Sequence, residues 1–284
     1  MARILIVGAG DIGSQLAITL AQARHDVWAM RRSNVEVGQG VHSIMGDVSD
    51  PESLLDIPTH IDILVYCVAS PEFSKEGYHK YYYRGIRHVL HALKAQGQKP
   101  KHAFFTSSSS VYHQMDASWV DEESPTEPIS FAGKELLQAE NALAKGFIPA
   151  TSVRFPGIYG PGRNRMVEQA RQGGHCDPDP EVWTNRIHRD DCVGVLNFLI
   201  EKVIAGEAIE GLYLACDSEP VTLYDILEWM KDRIGEVEPD YELPEATRRA
   251  NRRCSNKRLL DAGYRLKFKT YQEGYEFVLK ELGL

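Results

Sequence analysis

The sequence predicts an α/β fold: a doubly wound parallel sheet with a small C-terminal α/β lobe. Three observations predict it. Short apolar runs alternate with helix-period segments over the first 155 residues. The first run, Arg3-Ile4-Leu5-Ile6-Val7, passes straight into Gly8-Ala9-Gly10-Asp11-Ile12-Gly13 and then into a helical pattern. Past Pro156 the alternation gives way to loops crowded with Gly, Asp and Pro, at 157–162 and 173–180.

The elements follow in order. A strand at 3–7 leads through the glycine turn to a helix at 14–24. A second strand, 26–30, ends in Arg31-Arg32-Ser33, and a third, 41–45, ends in Gly46-Asp47. The fourth, 61–68, is nearly all apolar, as a strand buried on both faces must be. A long helix is expected at 74–95, a strand at 103–106, a helix at 134–144 and a strand at 150–155. Later helices fall at 190–203, 223–234 and 271–282, with Thr222 as N-cap of the second. No repeat, low-complexity tract or hinge-like linker interrupts the chain. The expected division is a dinucleotide-binding part at 1–155 and a substrate lobe at 156–284, packed as one compact unit.

Composition narrows the function. A net charge of −8 over 284 residues argues against non-specific nucleic-acid binding. No apolar run approaches the ~18 residues of a membrane span, and the apolar start is a strand rather than a signal peptide, because the glycine turn follows at once. Cys67, Cys176, Cys192, Cys216 and Cys254 are scattered, with no C-x-x-C pair. That fits a reducing cytoplasm and neither a disulfide frame nor a zinc site. His88 and His91, three apart on a helical segment, read as a solvated face, and no metal is expected.

The strand–glycine–helix arrangement indicates a dinucleotide phosphate held at a helix start. Gly8 allows the sharp turn, Gly10 lets the backbone lie against the pyrophosphate, and Gly13 lets the helix pack closely. Asp11 and Ile12 sit at the N-terminus that supplies free N–H donors. At the end of the second strand, where NAD-binding units place an acid for the ribose 2′-OH, stand Arg31 and Arg32. Two guanidinium groups suit a 2′-phosphate, so NADP is expected over NAD; the other reading is a solvated turn. Asp47 either meets the adenine edge or forms a turn before a helix start at Asp50-Pro51. The loops after Val7, Met30, Met45, Val68, Thr106 and Phe155 are expected to share the ligand cleft.

Three further segments carry a family resemblance: Thr106-Ser107-Ser108-Ser109-Ser110-Val111-Tyr112, Arg154-Phe155-Pro156-Gly157-Ile158-Tyr159-Gly160-Pro161-Gly162, and Asn185-Arg186-Ile187-His188-Arg189-Asp190-Asp191. With the glycine turn, in this order, they resemble the extended short-chain dehydrogenase/reductase superfamily. The match is to its NAD-dependent epimerase/dehydratase-like branch, and especially to atypical, YeeZ-like members. The resemblance covers nearly the whole chain. It implies a Rossmann core, nicotinamide chemistry on a small polar substrate such as a nucleotide sugar, and a homodimer at the family level only. Ser108 matches the catalytic Ser/Thr that orients the substrate oxygen. Lys134 matches the Lys that bonds the nicotinamide ribose, and Pro156 joins the cofactor contacts. Tyr159, Arg163 and Arg165 are substrate candidates, the two arginines either gripping an anion or forming a solvated helix start. His188 and Asp191 organise the substrate lobe.

The family's Tyr-x-x-x-Lys spacing places a tyrosine at position 130, which here is Ser130. The hydroxyl of serine is a poor replacement for a phenol as proton donor. Tyr82 lies near the family's Asn position. Three ways out remain open: Tyr81, Tyr82 or Tyr83 supplies the proton; Asp116, Glu122 or Glu123 does; or the chain binds cofactor without turnover. Cys176 lacks a cationic partner and is no nucleophile candidate. The two function classes are therefore an NADP-dependent oxidoreductase or epimerase/dehydratase, and a non-catalytic NADP-binding sensor.

Overall fold

A computed structural model describes residues 1–33, 35–235, 241–242 and 251–284, the side chains of 241–242 excepted. In chain order the elements are β1 (Arg3–Val7), α1 (Asp11–Gln22), β2 (Asp26–Arg31), β3 (Val41–Met45), β4 (Ile63–Tyr66), α2 (Lys75–Tyr78), α3 (Gly85–Ala95), β5 (His102–Ser108), β6 (Trp119–Val120), α4 (Phe131–Ala144), β7 (Ala150–Phe155) and β8 (Gly157–Tyr159). There follow α5 (Arg165–Arg171), β9 (Gly174–His175), β10 (Trp183–Thr184), β11 (Arg186–His188), α6 (Arg189–Ile204), β12 (Leu212–Leu214), β13 (Val221–Thr222), α7 (Leu223–Ile234), β14 (Tyr241–Glu242), β15 (Arg253–Cys254), α8 (Lys257–Asp261) and α9 (Tyr271–Glu281).

Seven strands form one parallel sheet in the order β12-β7-β5-β4-β1-β2-β3, a Rossmann-like α/β arrangement. The order runs one way from β1 to β3 and the other way from β4 onward. β1 and β4 therefore flank the switch point, and the glycine turn leaves β1 there. Ile4 to Val7 and Ile63 to Tyr66 are each almost fully buried, which is why both read as unbroken apolar runs.

The chain resolves into two compact units. The first comprises Met1–Val111, Thr126–Arg154 and Val193–Tyr213; the second comprises Tyr112–Pro125, Phe155–Cys192 and Leu214–Leu284. The second contains the short pairs β8–β11, β10–β13, β9–β14 and β6–β15. Its core is built on Tyr159, Val167, Ile226, Met230, Tyr275 and Val278.

Local departures from expectation have local causes. The helical stretch expected at 74–95 carries a π turn, His79–Arg84, between α2 and α3. The Tyr66 hydroxyl donates to the Tyr81 carbonyl, and a Cβ at Gly85 would overlap that hydroxyl, so a side chain inserted against the ladder accounts for the bulge. α4 begins at Phe131 rather than 134, because the Ser130 hydroxyl caps it by accepting from the Gly133 N–H at 3.1 Å. Thr222 caps α7, accepting from the Asp225 N–H at 3.0 Å. His88 is not on a solvated face: its Nδ1 donates to the Val48 carbonyl at 2.8 Å.

Candidate functional site

The first unit gathers the glycine turn and the matches to the catalytic Ser and Lys. The Gly8 and Ala9 N–H groups both donate to the Met30 carbonyl, at 3.0 and 2.8 Å, which ties the turn to the end of β2. The three glycines are required for different reasons. Gly8 has φ +100°, and a Cβ there would lie 2.5 Å from the Cys67 carbonyl oxygen. A Cβ at Gly13 would overlap the Gly8 carbonyl, so Gly13 lets α1 close on the turn itself as well as on the sheet. Gly10 differs from both. Its φ is −84° and a Cβ would meet nothing within 4 Å. Gly10 caps α1 with no side-chain hydrogen bond, and Asp11 and Ile12 open the helix.

Arg31 closes β2, and its carbonyl accepts from the Gly46 N–H at 3.0 Å. Arg32 is exposed. Its Nη1 donates to the Tyr81 hydroxyl at 3.3 Å, and its guanidinium lies 5.5 Å from the Tyr81 ring centre. Asp47 forms the turn: its Oδ1 accepts from the Ser49 N–H at 2.8 Å, and Asp50 caps the short 3₁₀ helix that follows.

At the end of β5, Ser108 is half-buried and its hydroxyl accepts from the Ser110 N–H at 3.1 Å. α4 docks on this turn through Gly133, where a Cβ would overlap the Ser110 carbonyl oxygen and lie 2.6 Å from the Pro128 Cβ. Lys134 is thereby held in the first turn of α4, exposed, beside the turn that carries Ser108. Ser130, where the resemblance implies a tyrosine, is committed to the cap. The phenols nearby belong to an aromatic cluster: Tyr78 meets Phe131 edge-on at 5.5 Å and Tyr82 at 5.0 Å. The Tyr82 hydroxyl accepts from the Ser70 N–H at 3.4 Å, and burial pushes its pKa up to about 12.

Two supports of this corner have no local sequence signal. Glu140 receives both Nε and Nη2 of Arg154, at 2.9 and 2.7 Å, and the Ser107 hydroxyl at 2.5 Å. All three residues are buried, and together they tie α4 to β5 and β7. Glu135, buried beside Lys134, accepts from His79 at 2.9 Å. These partners stand 14 to 56 positions apart, where neither periodicity nor motif spacing points.

In the second unit the expected residues divide. Arg163 and Arg165 are exposed, the first in a bridge with Gly160 and the second opening α5. Pro156 is half-buried between β7 and β8. Tyr159 is 3% exposed, stacked on Tyr275 at 4.2 Å, and packs as a core residue rather than lining a surface. Asp191 accepts from the Lys267 and Phe268 N–H groups and the Tyr264 hydroxyl, fixing the chain before α9. His188 packs on Phe268 at 4.2 Å, and burial lowers its pKa to about 4. Asp116 bonds the Ser118 N–H. Glu122 accepts from the Leu214 N–H at 2.6 Å, and Glu122 and Glu123 both pair with Arg258. These acids are thus occupied in loop and strand contacts. Burial raises the Cys176 thiol.

Asp217 yields a test. Burial pushes its carboxyl up to about 7, against the opposing pull of Arg186. Its folded value exceeds the unfolded one, so the folded state binds the proton more tightly, and stability falls as pH rises from about 4 to about 7. Asp217→Asn should gain stability relative to the parent across that window in urea denaturation. A difference that does not change with pH would mean that Asp217 titrates normally.

The model of the NAD dependent epimerase/dehydratase family matches residues 4–209. A solved protein of Methylobacillus flagellatus, assigned as an NAD-dependent epimerase/dehydratase, is 38% identical, with a TM-score of 0.85 over 100% of this chain and 99% of that one. The UDP-glucose 4-epimerase of Thermotoga maritima, solved with UDP-glucose, is 18% identical with a TM-score of 0.83 over 99% and 98% of the two chains. The UDP-glucose 4-epimerase of Thermus thermophilus, in complex with NAD, is 19% identical with a TM-score of 0.78 over 99% of each. At these identities the last two show the fold. No curated protein matches. The chain belongs to the NAD-dependent epimerase/dehydratase family.

Proposed function

We propose that the chain binds NADP and acts as an oxidoreductase or epimerase/dehydratase on a small polar substrate, with nucleotide sugars as the leading class. Gly10 carries this reading. Gly8 and Gly13 are needed by the protein's own packing, whereas at Gly10 the backbone is ordinary and the space beside it is open. A group outside the chain explains why no side chain stands there, and a pyrophosphate at a helix N-terminus is the group that fits. Arg31 and Arg32, with no acid beside them, support NADP over NAD. Bound there, the nicotinamide gives or takes the hydride. Lys134 bonds its ribose, Ser108 orients the substrate oxygen, and Tyr82, a phenol that stays protonated at neutral pH, is the proton donor. We assign 1–155 to the cofactor part and 156–284 to the substrate part, except that 112–125 belongs to the second compact unit and 193–213 to the first; Pro156 is assigned to the cofactor, and Arg163 and Arg165 to an anionic substrate. The five free thiols support a cytoplasmic location, and no described helix is long and apolar enough to cross a membrane. The reading includes a homodimer, which light scattering tests.

One observation favours a second reading, cofactor binding without turnover: Ser130 is committed to capping α4. Absorbance at the reduced-nicotinamide band separates the two. Consumption of NADPH with a sugar nucleotide, aldehyde or ketone that disappears in Lys134→Ala supports the enzyme; tight binding with silence across the panel supports the second reading. Gly10→Ala should leave thermal stability within about 0.5 kcal/mol yet weaken NADPH about tenfold or more by crowding the pyrophosphate. Unchanged affinity would remove the cofactor from the turn. Equal affinity for NADH and NADPH at low salt would remove the role of Arg31 and Arg32.

A further inference from the structure

On the basis of the NADP reading above, we propose that Tyr81 is a positioning residue for cofactor choice. It holds Arg32 ready for a ribose 2′-phosphate, and Arg32 rather than Arg31 reads that phosphate. The two arginines are equal candidates by sequence, and the structure treats them differently. The Arg32 Nη1 donates to the Tyr81 hydroxyl at 3.3 Å, and the guanidinium lies 5.5 Å from the Tyr81 ring centre. Among the described residues the Arg32 guanidinium makes no other hydrogen bond and no ion pair. Nε and Nη2 therefore keep their donors for an incoming anion, in the fork that suits a phosphate. The Arg31 side chain has no such anchor among the described residues. Arg31 is fixed through its backbone, at the end of β2, where its carbonyl accepts from the Gly46 N–H.

Tyr81 suits this task because the core fixes it from behind. It is 7% exposed, whereas Arg32 is exposed. Its own carbonyl accepts the hydroxyl of Tyr66, which is fully buried on β4. A Cβ at Gly85 would overlap that hydroxyl, so Gly85 keeps the space it needs. The π turn that carries Tyr81 is thus set from inside the sheet. An exposed arginine gives up rotamer freedom when it takes a ligand. A bond to a buried ring removes part of that freedom before the cofactor arrives, which is preorganisation. The Lys80 ammonium lies 5.4 Å from the same ring centre. Two cations therefore share one ring, drawn by its negative faces. A phosphate relieves their mutual repulsion, and a 2′-hydroxyl does not. The arrangement also gives Tyr81 work apart from the proton transfer assigned to Tyr82.

Fluorescence titration of NADPH and of NADH into the whole chain at low ionic strength tests the proposal. Tyr81→Phe keeps the ring and loses the hydroxyl. It should weaken NADPH about three- to tenfold, the cost of ordering one long side chain, and leave NADH unchanged. Tyr81→Leu loses the ring as well and should weaken NADPH further, again with NADH unchanged. Arg32→Gln should weaken NADPH about tenfold or more through loss of charge-assisted contacts, and Arg31→Gln should weaken it less. NADH affinity is the folding control, since a merely structural tyrosine would move both nucleotides together. A parent that prefers NADPH, with the same preference in both Tyr81 variants, overturns the role of Tyr81 alone. Tighter NADPH binding in Tyr81→Phe overturns it too, because the phenol would then withhold the arginine. A larger loss in Arg31→Gln than in Arg32→Gln overturns the choice of Arg32. A parent that binds neither nucleotide, or both equally, overturns the NADP reading and this proposal with it.

Discussion

Glu140→Ala should lose about 3–5 kcal/mol of folding free energy, because it leaves a buried guanidinium without its carboxylate. Both oxygens of Glu140 are engaged by Arg154, and one also takes the Ser107 hydroxyl at 2.5 Å. The pair lies inside the sheet–helix interface, with Arg154 4% and Glu140 7% exposed, so water cannot replace the lost partner. Urea denaturation should show a lower midpoint with an unchanged slope. Glu140→Leu with Arg154→Met separates the cause from simple packing. Replacing both charges with apolar groups of similar size should recover most of the loss. If Glu140→Ala costs less than about 1 kcal/mol, the pair behaves as an exposed one and the interface is wetter than its burial implies.

What could be read from the sequence follows from how far apart the interacting residues stand. β1, the glycine turn and α1 are contiguous, and β4 is apolar throughout; such local patterns reach the sequence directly. The start of α4 was also within reach, since Ser130 is an N-cap residue. Phe131-Ala132-Gly133 fall outside the helix expected at 134–144 because the glycine hides the helix period, while its purpose, close approach to Ser110, is tertiary. The π turn at His79–Arg84 depends on the hydroxyl of Tyr66 on a different element. The motif tyrosine Tyr159 pointed to substrate and packs in a core, because sequence spacing shows that a residue recurs in a pattern but not which face it takes. Arg154 belongs to that same motif, and its work is done by pairing with Glu140 in α4. The segment that most suggested substrate chemistry thus contains, at Arg154, a residue that holds the scaffold of the other unit's candidate site.

The same logic makes Gly133→Ala the sharpest test of the corner where α4 docks on the turn that carries Ser108. Helix propensity alone predicts a gain of about 1 kcal/mol, since alanine replaces glycine within the first turn of a helix. The contact predicts the opposite sign. A methyl group at this position overlaps the Ser110 carbonyl and presses on Pro128, neither of which is the free end of a flexible side chain. α4 must move off the β5 turn or the turn must give, and overpacking of this kind costs about 1–3 kcal/mol. The expected net change is a loss of about 1 kcal/mol in thermal or urea unfolding. The displacement acts on Lys134, the next residue, so NADPH affinity should fall, by no more than Lys134→Ala removes, if the lysine bonds the cofactor ribose. A stability gain would show that α4 has slack against the turn. The placement of Lys134 would then owe nothing to Gly133.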